Sequence, residues 1–136
     1  MRKIYLDTNV ILEHAMRRDN YREVVEIFHL AELGAIECYT SAATFFTIAF
    51  FLRKEKNSKK IFKDYFSFIQ VVTTQSENLD AAINSSFTDI EDGFQYYSAL
   101  GYCAAFVTFN KKDFIKHQSK SLPCFTPEEF LKAVII

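Results

Sequence analysis

Apolar residues fall in two kinds of block along this chain. The first kind is short and unbroken. Ile4-Tyr5-Leu6 is followed at once by Asp7, Thr8 and Asn9. A run with no polar alternation suits a strand buried on both faces. The second kind repeats every three or four residues, as in an amphipathic helix. Residues 9–18 read as a first helix. Residues 20–33 read as a second, with Val24, Ile27, Phe28 and Ala31 set against Arg22, Glu23, Glu26 and Glu32. Gly34 suits the position just past its end. Ile36 to Tyr39 forms a short strand, and Thr40 or Ser41 can cap the helix that follows. That helix, 42–54, is apolar nearly all round, which predicts either a central helix or a dimer surface. A basic link at 53–60 leads to a helix at 60–70, a very short strand at Val71 and Val72, and a helix at 77–86. Thr88-x-x-Glu91 has the form of a capping box and opens a helix over 89–101. Ala104 to Thr108 is a buried strand, 111–118 a short helix, and Leu122 to Phe125 a last edge strand. Thr126-Pro-Glu-Glu129 starts the final helix, with a cap, a proline at the first position and an acid at the third.

Helices alternating with short strands predict an α/β fold: a three-layer α/β/α sandwich around a short parallel sheet of four or five strands. The 136 residues are one domain's worth, 1–136, and enough to bury a core without staples. Fifteen Phe and seven Tyr with only three Gly and two Pro argue against a disordered or all-β chain. The formal charge of −1 means that any nucleic-acid partner must be met by a local basic patch. Cys38, Cys103 and Cys124 form no CxxC pair, so a zinc site is not expected, and a reducing compartment is. The chain shows no signal-peptide pattern. Its longest apolar stretch, Phe45 to Leu52, is too short to span a bilayer. A cytoplasmic protein with no membrane partner is expected.

The chemistry lies in the acids. Asp7 ends the first strand, so its carboxylate points out of the C-terminal edge of the sheet, where ligands bind in open α/β folds. Alone, Asp7 is as well explained as a helix cap. Asp89 and Asp92 are three apart at the start of a helix and share one face. Two like charges there repel each other unless a cation lies between them. Asp113 follows the buried strand 104–108, so its loop leaves the same edge. Thr108 and Asn110 are turn formers, and Thr108 is also placed to orient a carboxylate or a water. Clustered carboxylates suit a hard cation such as Mg²⁺ or Mn²⁺. His14, His29 and His117 make no paired ligand spacing.

Leu-Asp-Thr-Asn-Val-Ile-Leu (6–12), Glu-Asp-x-x-Gln-Tyr-Tyr-Ser-Ala-Leu (91–100) and Val-Thr-Phe-Asn-Lys-Lys-Asp-Phe (107–114) together resemble the PIN domain. The closing Leu-Pro-Cys-Phe-Thr-Pro-Glu-Glu-Phe-Leu (122–131) is similar to the end of many such chains. The commonest small members are the VapC-like toxin ribonucleases of toxin–antitoxin pairs. The resemblance implies metal-dependent hydrolysis of RNA, with Mg²⁺ or Mn²⁺ held by Asp7, Asp92 and Asp113 and with Asp89 as an extra ligand. It implies supporting roles for Asn9, Thr47, Thr108 and Asn110, an antitoxin partner and a homodimer. Lys111 and Lys112 beside Asp113 are the expected contacts for RNA phosphates. There is one departure. The family usually carries a Glu about six residues past the Ser matched by Ser41, and Thr47 stands there instead. A neutral oxygen binds a dication less well than an anion, so a non-catalytic PIN-like module that binds RNA or protein is the alternative. An aspartyl phosphatase is disfavoured because Asn9 stands where a second Asp is needed. A dinucleotide-binding domain is disfavoured because no GxGxxG occurs.

Overall fold

The structure, a computed structural model, describes residues 2–135. The expected domain span, 1–136, also takes in Met1 and Ile136, which lie outside the described residues. Five strands, β1 (Arg2–Leu6), β2 (Ile36–Ser41), β3 (Ile69–Val72), β4 (Ala105–Val107) and β5 (Cys124–Phe125), form one sheet in the order β3-β2-β1-β4-β5. Every pairing is parallel, with Ile4 beside Cys38 on one side and Ala105 on the other. Seven α-helices complete the described residues: α1 (Thr8–Ala15), α2 (Tyr21–Glu32), α3 (Ala42–Phe51), α4 (Ser58–Phe66), α5 (Ser76–Ile83), α6 (Ile90–Ala99) and α7 (Pro127–Ile135).

Both faces of the sheet are covered, and the side chains of β1 divide between them. Ile4 and Leu6 join Val10, Ile27, Ile48 and Phe130 in one core. Tyr5 joins Tyr39, Tyr96, Phe106 and Phe114 in the other. That is why the apolar runs show no polar alternation. The chain winds outward from β1 through β2 to β3, then crosses back over α5 and α6 to place β4 on the other side of β1. The winding therefore reverses between β1 and β4. In open α/β sheets ligands bind at such a reversal, beyond the carboxyl ends of the strands.

Local sequence sets most element ends. Gly34 adopts φ 77°, and the amides of Gly34 and Ala35 bond back to Ala31 and Leu30. This closes α2 in a Schellman turn. At α7, Thr126 Oγ1 accepts from the Glu129 amide while Glu129 Oε1 accepts from the Thr126 amide, the reciprocal box expected there. Three expectations need correction. Asp89, not Thr88, caps α6: its Oδ1 accepts from the amides of Glu91 and Asp92 at 3.0 and 3.3 Å. Residues 111–118 form two 3-10 turns, Lys111–Asp113 and Ile115–His117, because the wholly buried Phe114 between them must reach Phe106. Finally, α3 is not a central helix. It buries Thr44, Phe45 and Ile48 and leaves Phe46 and Phe50 76% and 60% exposed.

Candidate active site

Asp7 stands where β1 and β4 end side by side, its amide donating to Val107 O at 2.9 Å. It occupies the N-cap position of α1, yet its side chain makes no capping bond. The helix cap that would explain this residue most simply is therefore absent. The side chain is instead buried, with 3% exposure. Its Oδ1 accepts from Gln95 Nε2 at 2.8 Å, and its Oδ2 accepts from Thr108 Oγ1 at 2.7 Å and Asn9 Nδ2 at 3.2 Å.

The direction of these bonds is fixed from behind. The Thr8 amide donates to Gln95 Oε1, the Phe109 amide to Asn9 Oδ1, and the Asn110 amide to Thr108 Oγ1. A main-chain N–H can only donate. Gln95 and Asn9 must therefore turn their NH₂ groups toward Asp7, and Thr108 must turn its proton the same way. The bonds from Thr108 and Gln95 favour the anion, but burial is the larger influence, and the Asp7 carboxyl is raised above its ordinary value.

Asp92 lies half-buried in the first turn of α6, with no side-chain hydrogen bond among the described residues. Its carboxyl is pushed up to about 7, first by burial and then by the charges of Asp7, Asp89, Asp113 and Glu91. Asp89 and Asp113 are exposed. The ion pairs among the described residues are Lys60–Asp64, Lys111–Glu129 and Lys132–Glu128, so none of these four aspartates is in one. A cleft of about 640 Å³ opens beside Asp89, Asp92 and Asp113. Asp89 and Asp92 form one wall; Lys112, Asp113, Lys116 and His117 form the other.

The remaining expected residues are placed as follows. Asn9 and Thr108 bond Asp7 directly. Asn110 contributes its amide to Thr108 and exposes its side chain. Lys112 lines the cleft, whereas Lys111 is turned toward α7 and bonds both oxygens of Glu129 at 3.0 and 3.1 Å. Thr47 is partly buried and makes no side-chain hydrogen bond among the described residues. The hydroxyl that α3 adds to the network is that of Thr44, one turn earlier, 2.8 Å from Thr8 Oγ1. Gln95 is a site residue that sequence reasoning misses. Its Oε1 also accepts from Tyr5 and Thr8 hydroxyls, so it joins β1, α1 and α6 around Asp7. The available signal is its spacing: it lies three residues past Asp92 and therefore one turn deeper on the same helix face.

The donors suit a hard dication: oxygen only, negative in sum, and in no ion pair with a lysine or arginine among the described residues. Among the described residues no three Asp, Glu, His or Cys side chains stand close enough to hold one ion jointly. Mg²⁺ asks for less, because it is commonly held through one or two carboxylates, with waters and phosphate oxygens completing its shell. No helix among the described residues is long and apolar enough to cross a membrane. Among curated proteins, none matches the chain. A family model described as PIN domain matches residues 3–112, from β1 through the switch point to the Lys112 wall of the cleft, and the chain belongs to the PIN-domain family.

Proposed function

We propose that the protein is a metal-dependent endoribonuclease that acts as the toxin of a toxin–antitoxin pair. PIN domains are generally nucleases with divalent metals, and the substrate and role proposed here go beyond that. The observation that carries the proposal is the buried Asp7 carboxylate, held as an acceptor at the switch point with Asp92 crowded against it. In this reading Asp7 and Asp92 hold Mg²⁺ or Mn²⁺, with Asp113 and Asp89 completing the acidic rim. When bound, the ion supplies a water of lowered pKa and positive charge against the phosphate. Gln95, Thr108 and Asn9 aim Asp7 and favour its ionised form, and Lys112 contacts backbone phosphate. The test is cleavage of single-stranded and structured RNA by the purified protein in Mn²⁺, beside Asp7→Asn. Equal rates for the two proteins dismiss the proposal.

A second reading, a non-catalytic module that binds RNA or protein, is favoured by one observation. The inner face of α3 offers the hydroxyls of Thr44 and Thr47 where a carboxylate is usual. Metal titration separates the two: absence of Mn²⁺ binding at millimolar concentration supports the module. We expect Thr47→Glu to tighten Mn²⁺ binding by about tenfold, on the scale at which an added anionic ligand shifts affinity, measured by calorimetry.

The toxin reading also entails a homodimer and an antitoxin. Phe46 and Phe50 on α3 and Phe66 on α4, which stacks on Phe45 at 4.9 Å between ring centres, offer an exposed apolar surface suited to such contacts. The expected outcome in light scattering at high micromolar concentration is a dimer mass that falls to the monomer on Phe46→Glu. A wild type that stays monomeric removes the dimer from the proposal.

A further inference from the structure

The wall of the cleft that faces Asp89 and Asp92 carries, besides Asp113, three residues that are not acids: Lys112, Lys116 and His117. His117, in the second 3-10 turn, lines it. One face of its ring stacks on Phe87, with 4.1 Å between centres and 25° between planes. Its Nδ1 lies 2.8 Å from Ser86 Oγ. Two neighbours from the α5–α6 connection thus fix the ring's position and rotation. Either the Ser86 hydroxyl or the ring can donate in this contact; in the tautomer where Ser86 donates to Nδ1, the ring carries its proton on Nε2, which has no hydrogen-bond partner among the described residues. Lys112 and Lys116 line the same wall, are exposed and form no ion pair among the described residues. The cleft therefore sets acids that need a cation beside cations that need an anion. A phosphodiester chain satisfies both walls: one phosphate at the metal, and the next against the basic wall.

We propose that His117 is a substrate-positioning residue that donates from Nε2 to the phosphate next to the scissile one, with Lys112 and Lys116 beside it. The proposal rests on the ribonuclease reading above. It assigns no proton transfer to His117, whose role is to hold the strand in register with Asp7 and Asp92.

The test uses the full chain, Mn²⁺ and short 5′-fluorescein-labelled single-stranded RNA of mixed sequence at pH 8. His117→Phe keeps the stack on Phe87 and removes the donor. It is expected to raise KM about tenfold, as for loss of a hydrogen bond to a charged group, with kcat nearly unchanged. His117→Gln, whose amide nitrogen reaches a similar distance from the main chain, is expected to recover much of the affinity. Lys112→Ala and Lys116→Ala are each expected to flatten the dependence of log affinity on log salt by about 0.7. His117→Phe, which removes no charge at this pH, leaves that slope as it is. Ser86→Ala, which frees the ring without touching the donor, is expected to weaken binding less than His117→Phe does. Thermal unfolding of each variant separates binding from folding. Wild-type KM in His117→Phe, or a loss confined to kcat, overturns the assignment to His117 while leaving the ribonuclease reading in place. A wild type that neither binds nor cleaves the RNA overturns both.

Discussion

Asp92→Asn is expected to melt at a higher temperature than the wild type at pH 8 without divalent metal, and to lose that advantage near pH 4. The Asp92 carboxyl is raised from its ordinary 3.8 to about 7. Between those values the folded chain therefore binds more protons than the unfolded one. Stability must fall as pH rises through that window and level off above it. Below about 4 the group is protonated in both states and carries no penalty. A neutral amide of the same shape removes first the cost of burying the charge and then the repulsion from Asp7, Asp89, Asp113 and Glu91, and with no side-chain hydrogen bond at Asp92 among the described residues there is no partner to lose. A tenfold change in proton affinity corresponds to about 1.4 kcal/mol, and solvent reaching this half-buried group reduces the sum to about 1–3 kcal/mol. For a chain of this size that is on the order of 3–9 °C in Tm. Mn²⁺ is expected to close the gap by stabilising the wild type and not the variant. Scanning calorimetry at the two pH values, with and without metal, measures all four quantities. A variant less stable than the wild type at pH 8 means that Asp92 is not strained by its neighbours.

Asp7→Asn is expected to lower the rate of RNA cleavage by well over 100-fold. Groups that only orient a metal ligand typically cost about 10–100-fold, and this is the range expected for Gln95→Ala and Thr108→Val. Loss of the charged ligand itself must exceed it. The amide also cannot settle into the site passively. With Gln95 and Asn9 fixed by the amides of Thr8 and Phe109, an NH₂ at either oxygen position faces at least one donor. The substitution thus removes the anion and misaligns what remains, and Mn²⁺ affinity is expected to fall with the rate. Single-turnover cleavage beside a metal titration checks both. Unchanged metal affinity in Asp7→Asn sets aside Asp7 as a ligand.

Much of this arrangement is legible in the chain. Ile4-Tyr5-Leu6 announces a strand buried on both faces, Thr126-Pro-Glu-Glu129 a capped helix, and the order of the acid-bearing segments a common sheet edge. These are local signals, because period and capping are written within a few residues. What cannot be read depends on distant partners. The neighbours of β1 are β2 and β4, and no local pattern states that pairing or the reversal that puts Asp7 in a crevice. Lys111 and Lys112 are adjacent and alike in sequence, yet one meets Glu129 eighteen residues later and the other faces the cleft. Thr88 and Asp89 both have the chemistry of a cap, and the backbone selects the residue one place further on. Gln95 resembles a surface amide until β1 is brought beneath it. The misfits concentrate where acids crowd without cations, as expected when local consistency is given up for a binding site.

Crystals soaked in Mn²⁺ and measured at the manganese absorption edge bear most directly on whether these carboxylates form a cation site. Anomalous density about 2.1 Å from an Asp7 oxygen, shared with Asp92 or Asp113, is the expected outcome. Density elsewhere, or none at saturating Mn²⁺ with the carboxylates in their present positions, would mean that the acids converge for some purpose other than holding a metal.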